Sequence, residues 1–391
     1  MRADAKILAI SHAAVRAPNR AVYRVLRERG WNVELIAPHG LKRGGLWTPQ
    51  DPVDPRDPPI HKLNLCGAHP RTYRYAGLDR TLERIQPNLV IAEIDPASRT
   101  AFALCQWRRR RDARRLICQT NENLSWRWRD AIARAGLAEA PRAIAKTALH
   151  RLSRSAIDHV FTTSAEASRL FADAGFRSVA VTPMGHDPQK FRYASRARGR
   201  ARDALGIDPS ERVIAYFGRM VPEKGVDILV QALGRLAERP WRLMLNQFEG
   251  DAEYGRRIHQ LLEQHGIDHR VVTVETRHGE IADLMRAADI VAVPSRSTPR
   301  WVEQFGRVVS EAMACGAAVV VSDSGAPKGL VGDAGLVVPE GDPAALAEAL
   351  QGLLDDAAQL RALRKASLRR AKSAFTVDAQ ADLFDAAITA L

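Results

Sequence analysis

The feature that most constrains the fold is an alternation of short apolar runs with longer helical segments, which occurs twice along the chain. The runs lack a strict period of two, as expected of parallel strands that are buried on both faces. In the first half they cover 6–11, 33–38, 89–94, 114–120, 159–164 and 179–184. In the second half they cover 212–219, 242–247, 270–275, 289–295, 317–323 and 335–339. Two doubly wound α/β domains are therefore predicted.

A length of 391 residues also favours two domains, because one ordinary core rarely grows so large. We predict an N-terminal domain over 1–185, a linker over 186–210 and a C-terminal domain over 211–372. A last helix over 373–391 is predicted to pack back on the first domain. The segment 41–60 is rich in Pro, Gly and Asp, which is typical of an exposed loop. Ligands of such sheets bind at the carboxyl ends of the strands, which would suit an enzyme with two substrates.

The net charge of +13 is unevenly distributed along the chain. Residues 1–190 hold 32 Lys and Arg against 18 Asp and Glu, whereas residues 191–391 hold 26 against 27. Such asymmetry suggests an anionic partner for the first half, namely membrane lipid, a phospholipid-like acceptor or nucleic acid. The alternative is a surface of solvated arginines with no partner.

Basic clusters at 108–115 and 127–129 are interleaved with tryptophans at positions 107, 126 and 128. No recognised nucleic-acid module surrounds them, so we expect no nucleic-acid partner. An amphipathic face that touches an anionic membrane surface is the preferred interpretation, and a plain solvated helix is the alternative.

No apolar stretch approaches the roughly 18 uncharged residues that span a bilayer. The charged residues Arg2, Asp4 and Lys6 do not resemble a secretory signal, so a cytoplasmic location is expected. A peripheral position at the inner face of the membrane is the further expectation. The four cysteines, at 66, 105, 118 and 315, are scattered and are predicted to be buried thiols in a reducing compartment.

The strongest motif is EQFGRVVSEAMACG, at 303–316. It predicts a helix over 305–315 that ends at Gly316. Glu303 would then lie just before the helix and Glu311 inside it. A helix start favours a nearby phosphate, so Glu303 could reach sugar hydroxyls and Glu311 could accept two hydrogen bonds from a ribose diol. The alternative is a helix with two surface carboxylates.

A second motif, FGRMVPEKG at 217–225, lies at the end of the first strand of the C-terminal domain. Arg219 offers a bidentate guanidinium and Lys224 a point charge. Both can stabilise the charge that develops on a leaving nucleoside diphosphate. Taken alone, the segment could equally be an ordinary loop between a strand and a helix.

Together these segments resemble the retaining glycosyltransferases of family 4, whose C-terminal domain carries a Glu-x7-Glu motif. The matching positions are Glu303, Phe305, Arg307, Val308, Glu311, Ala312, Met313, Ala314, Gly316 and Val319, with departures at Gln304 and Ala318. The resemblance covers 155–350. It implies the GT-B fold, in which two doubly wound Rossmann-like domains face each other across a cleft.

By that resemblance Arg219 and Lys224 hold the donor diphosphate and act in catalysis with Glu303. The donor site then also includes Phe305, Gly306, Arg307, Glu311, Ser324 and Gly325, with Ser324 and Gly325 offering backbone donors to the sugar or phosphate. The segments 246–253 and 274–281 depart from the family pattern beside the nucleobase. The sequence therefore does not predict which nucleobase or which sugar the donor carries.

The resemblance thins over 1–154. The loop 11–19 lacks the family's glycines but offers His12 and Asn19, besides Ser11 and Arg16. Gln119, Asn121 and Asn123 stand where some family members carry a catalytic histidine. We expect His12, Asn19, Glu93, Gln119 and Asn121 to bind the acceptor or sugar. For Glu93 and the nearby Asp95, carboxylates at the start of a helix are the alternative interpretation.

The sequence therefore predicts a hexosyl transferase that uses a nucleotide sugar and a glycan or lipid-linked acceptor, in cell-surface polysaccharide or glycolipid synthesis. No Asp-x-Asp motif is present, so neither a metal ion nor another cofactor is expected. The alternatives are a sugar-nucleotide epimerase or a phosphorylase of the same fold, or a non-catalytic protein that binds nucleotide sugars.

Overall fold

The computed structural model describes residues 5–43, 46–248, 250–274 and 281–391. The chain forms two compact units, Met1–Gly185 with Val377–Leu391, and His186–Thr376.

The strands of the first unit are β1 (Lys6–Ser11), β2 (Asn32–Pro38), β3 (Gly40–Arg43), β4 (Leu46–Pro49), β5 (Ile60–Leu63), β6 (Leu65–Cys66), β7 (Arg74–Tyr75), β8 (Leu89–Glu93), β9 (Arg115–Gln119), β10 (His159–Thr162) and β11 (Val179–Val181). Its helices before residue 186 are α1 (Ala21–Glu28), α2 (Leu78–Ile85), α3 (Arg99–Arg109), α4 (Trp128–Ala135), α5 (Ala140–Ser153) and α6 (Ala165–Asp173). Seven strands form one sheet in the order β11-β10-β9-β8-β1-β2-β5.

Every neighbouring pair in this sheet is parallel. The chain builds outward from β1 to β2 and β5, then crosses to β8 on the other side of β1, so the winding reverses between β1 and β8. Apolar side chains of the central strands pack into separate clusters on the two faces of the sheet. This burial on both faces explains the uninterrupted apolar runs in the sequence.

The second unit contains the strands β12 (Arg212–Arg219), β13 (Trp241–Phe248), β14 (Val271–Val274), β15 (Ile290–Val293), β16 (Ala318–Ser322) and β17 (Leu336–Val338). Its helices are α7 (Ser195–Ala204), α8 (Val226–Gly234), α9 (Ala252–Gln264), α10 (Ile281–Ala287), α11 (Arg307–Ala314), α12 (Pro327–Val331), α13 (Pro343–Asp355) and α14 (Ala357–Ala374). The parallel sheet has the order β14-β13-β12-β15-β16-β17, and its winding reverses between β12 and β15.

The segment predicted as a linker, 186–210, lies within the second unit rather than outside it. Its helix α7 packs against α10. The guanidiniums of Arg198 and Arg202 reach the buried carboxylate of Asp289 at 2.7 and 3.2 Å. These ion pairs explain why this arginine-rich segment packs as part of a domain and is not a solvated linker.

The segment 41–60 is not the plain exposed loop that its composition predicts. β3 and β4 pair as an antiparallel hairpin within it. Further along, the fully buried carboxylate of Asp57 accepts hydrogen bonds from Arg20 at 2.6 Å and Arg24 at 2.5 Å. A buried charge is retained only when it is paired, so this contact anchors the end of the segment to the region of α1.

The last helix, α15 (Val377–Thr389), belongs to the first unit and packs against α1. The indole of Trp31 donates a 2.9 Å hydrogen bond to Asp385, and the ring of Phe384 lies 4.7 Å from that of Phe161. Among the cysteines, 105, 118 and 315 are buried as predicted, whereas Cys66 is exposed. It occupies the two-residue strand β6, which is too short to cover its side chain.

Candidate functional site

The two switch points, where the winding of each sheet reverses, are the places where ligands of open parallel sheets bind. In the second unit this point lies between β12 and β15. Arg219 is the last residue of β12 and its side chain is exposed. Ser295 follows β15 by two residues and is buried. The carboxyl edge of this sheet therefore presents a cation at the position where an anionic ligand is expected.

Lys224 and Glu303 meet at this switch point. The ammonium Nζ of Lys224 lies 2.5 Å from Oε2 of Glu303, and the hydroxyl of Ser295 donates to the same oxygen at 2.8 Å. The side chain of Glu303 is buried, whereas that of Lys224 stays partly exposed. The indole ring of Trp301 lies 5.1 Å from the ammonium, within range of a cation–π contact. The pair is held rigidly but remains open on the lysine side.

A glycine next to Lys224 brings two loops into direct contact. Gly225 has a φ of +66°, and a Cβ atom built on it would lie 1.9 Å from the carbonyl oxygen of Pro294. No other residue fits there without moving one of the two backbones. The close contact at Gly225 therefore holds the backbone next to Lys224 against the loop after β15.

A second glycine fixes the backbone of Glu303. Gly325 has a φ of +68°, and a Cβ atom there would lie 2.1 Å from the carbonyl oxygen of Glu303. The amide of Ala326 donates to that carbonyl at 3.0 Å. The buried hydroxyl of Ser324 lies 3.1 Å from that of Ser297. Ser324 and Gly325 thus support the loop of Glu303, and their predicted backbone contacts to a sugar or phosphate stay a prediction.

The helix of the strongest motif begins later than predicted, at Arg307 instead of Phe305. Gly306 precedes it in the left-handed conformation, which cannot continue a helix in the N-terminal direction. Phe305 therefore lies in the loop and is partly exposed. The helix stops before Gly316, as predicted.

Glu311 lies inside α11, on its partly exposed side. Burial raises the pKa of this carboxyl group to about 7, against the opposing charges of Arg307, one turn earlier, and Lys190. Glu311 thus differs from Glu303, whose charge is met by an ammonium group at contact distance.

The switch point of the first sheet, between β1 and β8, carries Glu93 at the end of β8. The hydroxyls of Ser11 and Tyr23 donate to its two carboxylate oxygens at 2.5 and 2.6 Å. Burial, together with this carboxylate, raises the pKa of Tyr23 well above its usual value. Glu93 is thus held by two hydroxyls at the carboxyl edge and does not serve as a carboxylate at a helix start.

The other residues predicted for the acceptor lie in loops at the same edge. The His12 ring contacts the Tyr73 ring edge-on at 5.3 Å, and the amide nitrogen of Asn19 donates to the carbonyl of Ala13 at 2.6 Å. Gln119 ends β9 and is buried, and its side-chain oxygen has no hydrogen-bond partner among the described residues. Asn121 follows it and is partly exposed.

A cluster of charged side chains lies beside them and was missed by the sequence analysis. The guanidinium of Arg71 bonds Asp95 at 3.0 Å and Glu122 at 2.7 Å, and the ammonium of Lys146 also pairs with Glu122 and lies 3.7 Å from Asp95. The helix that follows Asp95 is capped by Ser98, so Asp95 is not its capping residue. These residues lie far apart in the sequence and meet through the pairing of β8 with β9 and the packing of α5 and the turn at Arg71 beside them.

The imidazole of His150 borders this cluster, with Nε2 3.8 Å from the carboxylate of Asp95. It is buried, stacks on the indole of Trp126 at 4.1 Å and has no hydrogen bond from either ring nitrogen within the described part of the chain. Burial lowers the pKa of His150 to about 4, so the ring is neutral near neutral pH.

A cavity of about 310 Å³ lies between α9 and β14, with Met220, Asp251 and Thr273 among its lining residues. It adjoins two segments that were predicted to depart from the family pattern beside the base, 246–253 and 274–281. Residues 249 and 275–280 of those segments lie outside the described residues. Over the described ranges, no group of three or more His, Cys, Asp and Glu side chains is placed to hold a metal ion. Nor does a search of the helices in those ranges find one long and apolar enough to cross a bilayer.

The comparisons with known proteins agree with this geometry. A family model described as "Glycosyl transferase 4-like domain" matches residues 15–185, and one described as "Glycosyl transferases group 1" matches residues 197–370. The D-inositol 3-phosphate glycosyltransferase of Segniliparus rotundus is 34% identical over 231 residues, which are 57% of this chain and 50% of that protein. The enzyme of the same name from Kineococcus radiotolerans is 36% identical over 214 residues, 50% of this chain and 48% of that protein. The chain thus spans about half the length of these curated relatives.

Solved structures match nearly the whole chain. Sucrose-phosphate synthase from Thermosynechococcus elongatus superposes with a TM-score of 0.74 and 22% identity, covering 99% of this chain and 100% of that one. HepE of Anabaena, solved in complex with UDP and glucose, superposes with a TM-score of 0.72 and 20% identity over 99% of this chain and 100% of that one. At these identities the likeness shows the fold alone. Taken with the two family models, it places the chain among the group 1 glycosyltransferases, with the GT-B fold of two Rossmann-like domains.

Proposed function

We propose that the chain is a retaining glycosyltransferase, which moves a hexosyl unit from a nucleoside-diphosphate sugar to an acceptor hydroxyl. The observation that carries the proposal is the Lys224–Glu303 ion pair at the switch point of the second sheet, after a strand that ends in the exposed Arg219. The curated relatives, which are named glycosyltransferases, support the same reaction class.

In this proposal Arg219 and Lys224 bind the donor diphosphate and stabilise its charge as the glycosidic bond breaks. An ammonium group has three donors, so Lys224 can keep its bond to Glu303 and still donate to a phosphate oxygen. Fixed donors that point to the place where charge develops are among the largest single contributions to catalysis. The contact between Gly225 and Pro294 holds Lys224 in this position before the substrate arrives.

The two glutamates of the motif are assigned different parts of the donor. Glu303 accepts hydrogen bonds from sugar hydroxyls, because it is already fixed beside the cation that would bind the diphosphate. Glu311, one helix turn past Arg307, accepts the ribose diol. The loop and first turn formed by Phe305, Gly306 and Arg307 lie between them, and the start of α11 directs its backbone amides and helix dipole towards the phosphate.

We assign the acceptor to the carboxyl edge of the first sheet, where Glu93, Gln119 and Asn121 lie with the loop of His12 and Asn19. Attack of the acceptor hydroxyl on the face that the diphosphate leaves would retain the anomeric configuration. A glycan or a lipid-linked sugar is the proposed acceptor, in cell-surface polysaccharide or glycolipid synthesis at the cytoplasmic face of the membrane.

The proposal needs no metal ion, because Arg219 and Lys224 supply the positive charge that the diphosphate requires. EDTA should therefore leave the reaction rate unchanged. Complete loss of activity that manganese or magnesium restores would contradict this part of the proposal.

The reaction itself is tested with the purified protein and a panel of UDP-, GDP- and ADP-sugars. We expect one donor class to release nucleoside diphosphate slowly in water and faster when a suitable glycan or lipid-linked acceptor is added. The anomeric configuration of the product, measured by NMR, should equal that of the donor. Inversion of that configuration, conversion of the donor to its epimer, or donor binding without turnover would each contradict the proposal.

A further inference from the structure

The outer face of helix α5 in the first unit is apolar, and it is exposed in the part of the chain that the structure describes. Its inner face is formed by Ala143, His150 and Ser153, which are buried. On the opposite side Ile144 and Leu152 are 56% and 57% exposed. They lie eight residues apart, so they share one row of the helix.

Two further side chains extend this apolar face. Leu149 is 39% exposed and lies one turn from Leu152. Leu137, in the turn between α4 and α5, is 78% exposed. Exposed leucines and isoleucines are unremarkable one at a time, whereas a contiguous set on one helix indicates a contact surface. We call Leu137, Ile144, Leu149 and Leu152 the α5 surface.

Positive charge surrounds the α5 surface. The segment 127–154 holds seven Lys and Arg against two Asp and Glu. Arg142 and Arg151 are exposed on the same helix, and Arg109 of α3 donates to the carbonyl of Leu152. Arg142 has only a loose surface pair with Glu139, at 3.7 Å. An apolar helix face bordered by arginines is typical of helices that lie in the interface of an anionic bilayer.

The tryptophans singled out by the sequence do not form this surface. Trp107 and Trp126 are buried, at 3% and 7% exposure, so they are unable to insert into lipid. Of the neighbouring arginines, Arg108 pairs with Asp158 at 3.0 Å. Trp128 alone among these three rings is exposed, at 48%. Burial thus excludes Trp107 and Trp126 from such a surface, whereas Arg109, Arg110 and Arg111 of the predicted cluster are exposed.

We propose that the α5 surface docks the protein on a membrane that contains anionic phospholipid. A second copy of the chain is a poorer occupant, because pairing two such surfaces would bring their arginines together. A membrane suits both the positive charge and the apolar side chains of the surface. Headgroup phosphates attract the arginines, and the acyl boundary takes up the aliphatic side chains.

Helix α5 also connects this surface to the carboxyl edge of the sheet. Lys146, on its inner side, joins the cluster of Arg71, Asp95 and Glu122 there. Docking through α5 would thus bring the acceptor edge near the lipid. The placement of the acceptor edge near the lipid rests on the proposed transferase function, whereas the docking of α5 on the membrane does not.

Flotation with vesicles tests the docking without any assay of activity. The protein is mixed with vesicles of phosphatidylcholine, alone or with phosphatidylglycerol, at low and at high salt. We expect flotation with the mixed vesicles at low salt and its loss at high salt, because charge attraction is screened. The double variant Ile144→Ser, Leu152→Ser should reduce the bound fraction at least about tenfold, since it removes the apolar anchor.

The matched control is Val53→Ser with Val337→Ser, which removes two side chains that are 51% and 45% exposed elsewhere. It should float like the wild type, and melting temperatures should show that both variants are folded. Absence of flotation with the mixed vesicles would overturn the proposal, as would equal flotation of the α5 variant. Equal binding to pure phosphatidylcholine would overturn the anionic specificity. Self-association that the α5 variant abolishes, without vesicle binding, would assign the surface to a second copy.

Discussion

At the scale of single residues, the two glutamates of one motif have different electrostatic environments. Glu303 lies in contact with the ammonium group of Lys224 and the hydroxyl group of Ser295. Glu311 lies where burial outweighs the attraction of Arg307 and Lys190, so the pKa of its carboxyl group rises to about 7. A carboxylate poised in this way gains its charge most readily when a ligand donates hydrogen bonds to it.

The raised pKa of Glu311 predicts how the free energy of unfolding depends on pH. Its folded pKa of about 7 lies above the ordinary value of 4.5, so the native state holds this proton more tightly than the unfolded chain does. The corresponding stability is present below pH 4.5 and is lost as the pH rises through 7, by about 3 kcal/mol in total. Glu311→Gln, which cannot ionise, should gain stability relative to the wild type over this window. Chemical unfolding at pH 5 and pH 8 measures the difference.

The same variant tests the assignment of the ribose. If a carboxylate must accept the ribose diol, wild-type affinity for the preferred nucleoside diphosphate should fall as the pH drops below 7. Glu311→Gln should bind more weakly at pH 8 and lack this pH dependence, and a 2′-deoxy nucleotide should abolish the difference between the two proteins. Identical pH profiles for the variant and the wild type would count against the assignment.

At the scale of elements, helix α7 shows how a few ion pairs decide whether a segment serves as a linker or packs as part of a domain. The carboxylate of Asp289 is 1% exposed and pairs with Arg198, Arg202 and Arg364, the last at 3.4 Å. It also accepts the amide of Val213 at 2.9 Å. Helices α7 and α14 are thereby tied to the sheet through one side chain, at the junction of β12 and β15.

Asp289→Asn should therefore destabilise the protein by about 3 kcal/mol or more, because it leaves several buried guanidiniums without their counter-charge. The control is Asp355→Asn, which breaks an exposed pair with Arg239 at 2.9 Å and should change the free energy of unfolding far less. Urea unfolding of the two variants gives the comparison. Equal and small losses would show that the arginines find other partners when Asp289 is neutral.

The elements themselves were largely predictable from the sequence. The runs at 6–11, 212–219 and 317–323 became central strands, since burial on both faces leaves a clear apolar signature. The hairpin formed by β3 and β4 was missed, because turn-rich composition hides short strands. Helix α7 was predicted as part of a linker, because its arginines are typical of a solvated segment. Their partner Asp289 lies 87 to 91 residues away in the sequence.

For the candidate site, local motifs and a family resemblance predicted Arg219, Lys224 and Glu303, and the structure brings Lys224 and Glu303 into contact. The sequence did not identify Ser295 or Trp301 as their neighbours, because those contacts depend on the packing of separate loops. Of the cluster formed by Arg71, Asp95, Glu122 and Lys146, the sequence analysis named Asp95 alone, because the four residues lie far apart in the sequence. They meet because β8 and β9 are neighbours in the sheet and Lys146 reaches their carboxyl ends from within α5.

At the scale of the whole molecule, two family models cover the two halves of the chain, and each unit presents polar side chains at the switch point of its own sheet. The halves differ in charge in a way that fits their proposed roles. The basic half carries the α5 surface, whereas the nearly neutral half carries the proposed donor site with Arg219 and Lys224.

The central claim is that the carboxyl edge of the second sheet holds the donor diphosphate through Arg219 and Lys224. The most direct test is kcat/KM for Arg219→Ala and Lys224→Ala, with Arg361→Ala, an exposed arginine of α14, as the control. We predict a loss of roughly 100-fold or more for each of the first two variants, with melting temperatures that show they are folded, and no loss for the control. Activity of both site variants within a few-fold of the wild type would contradict the account.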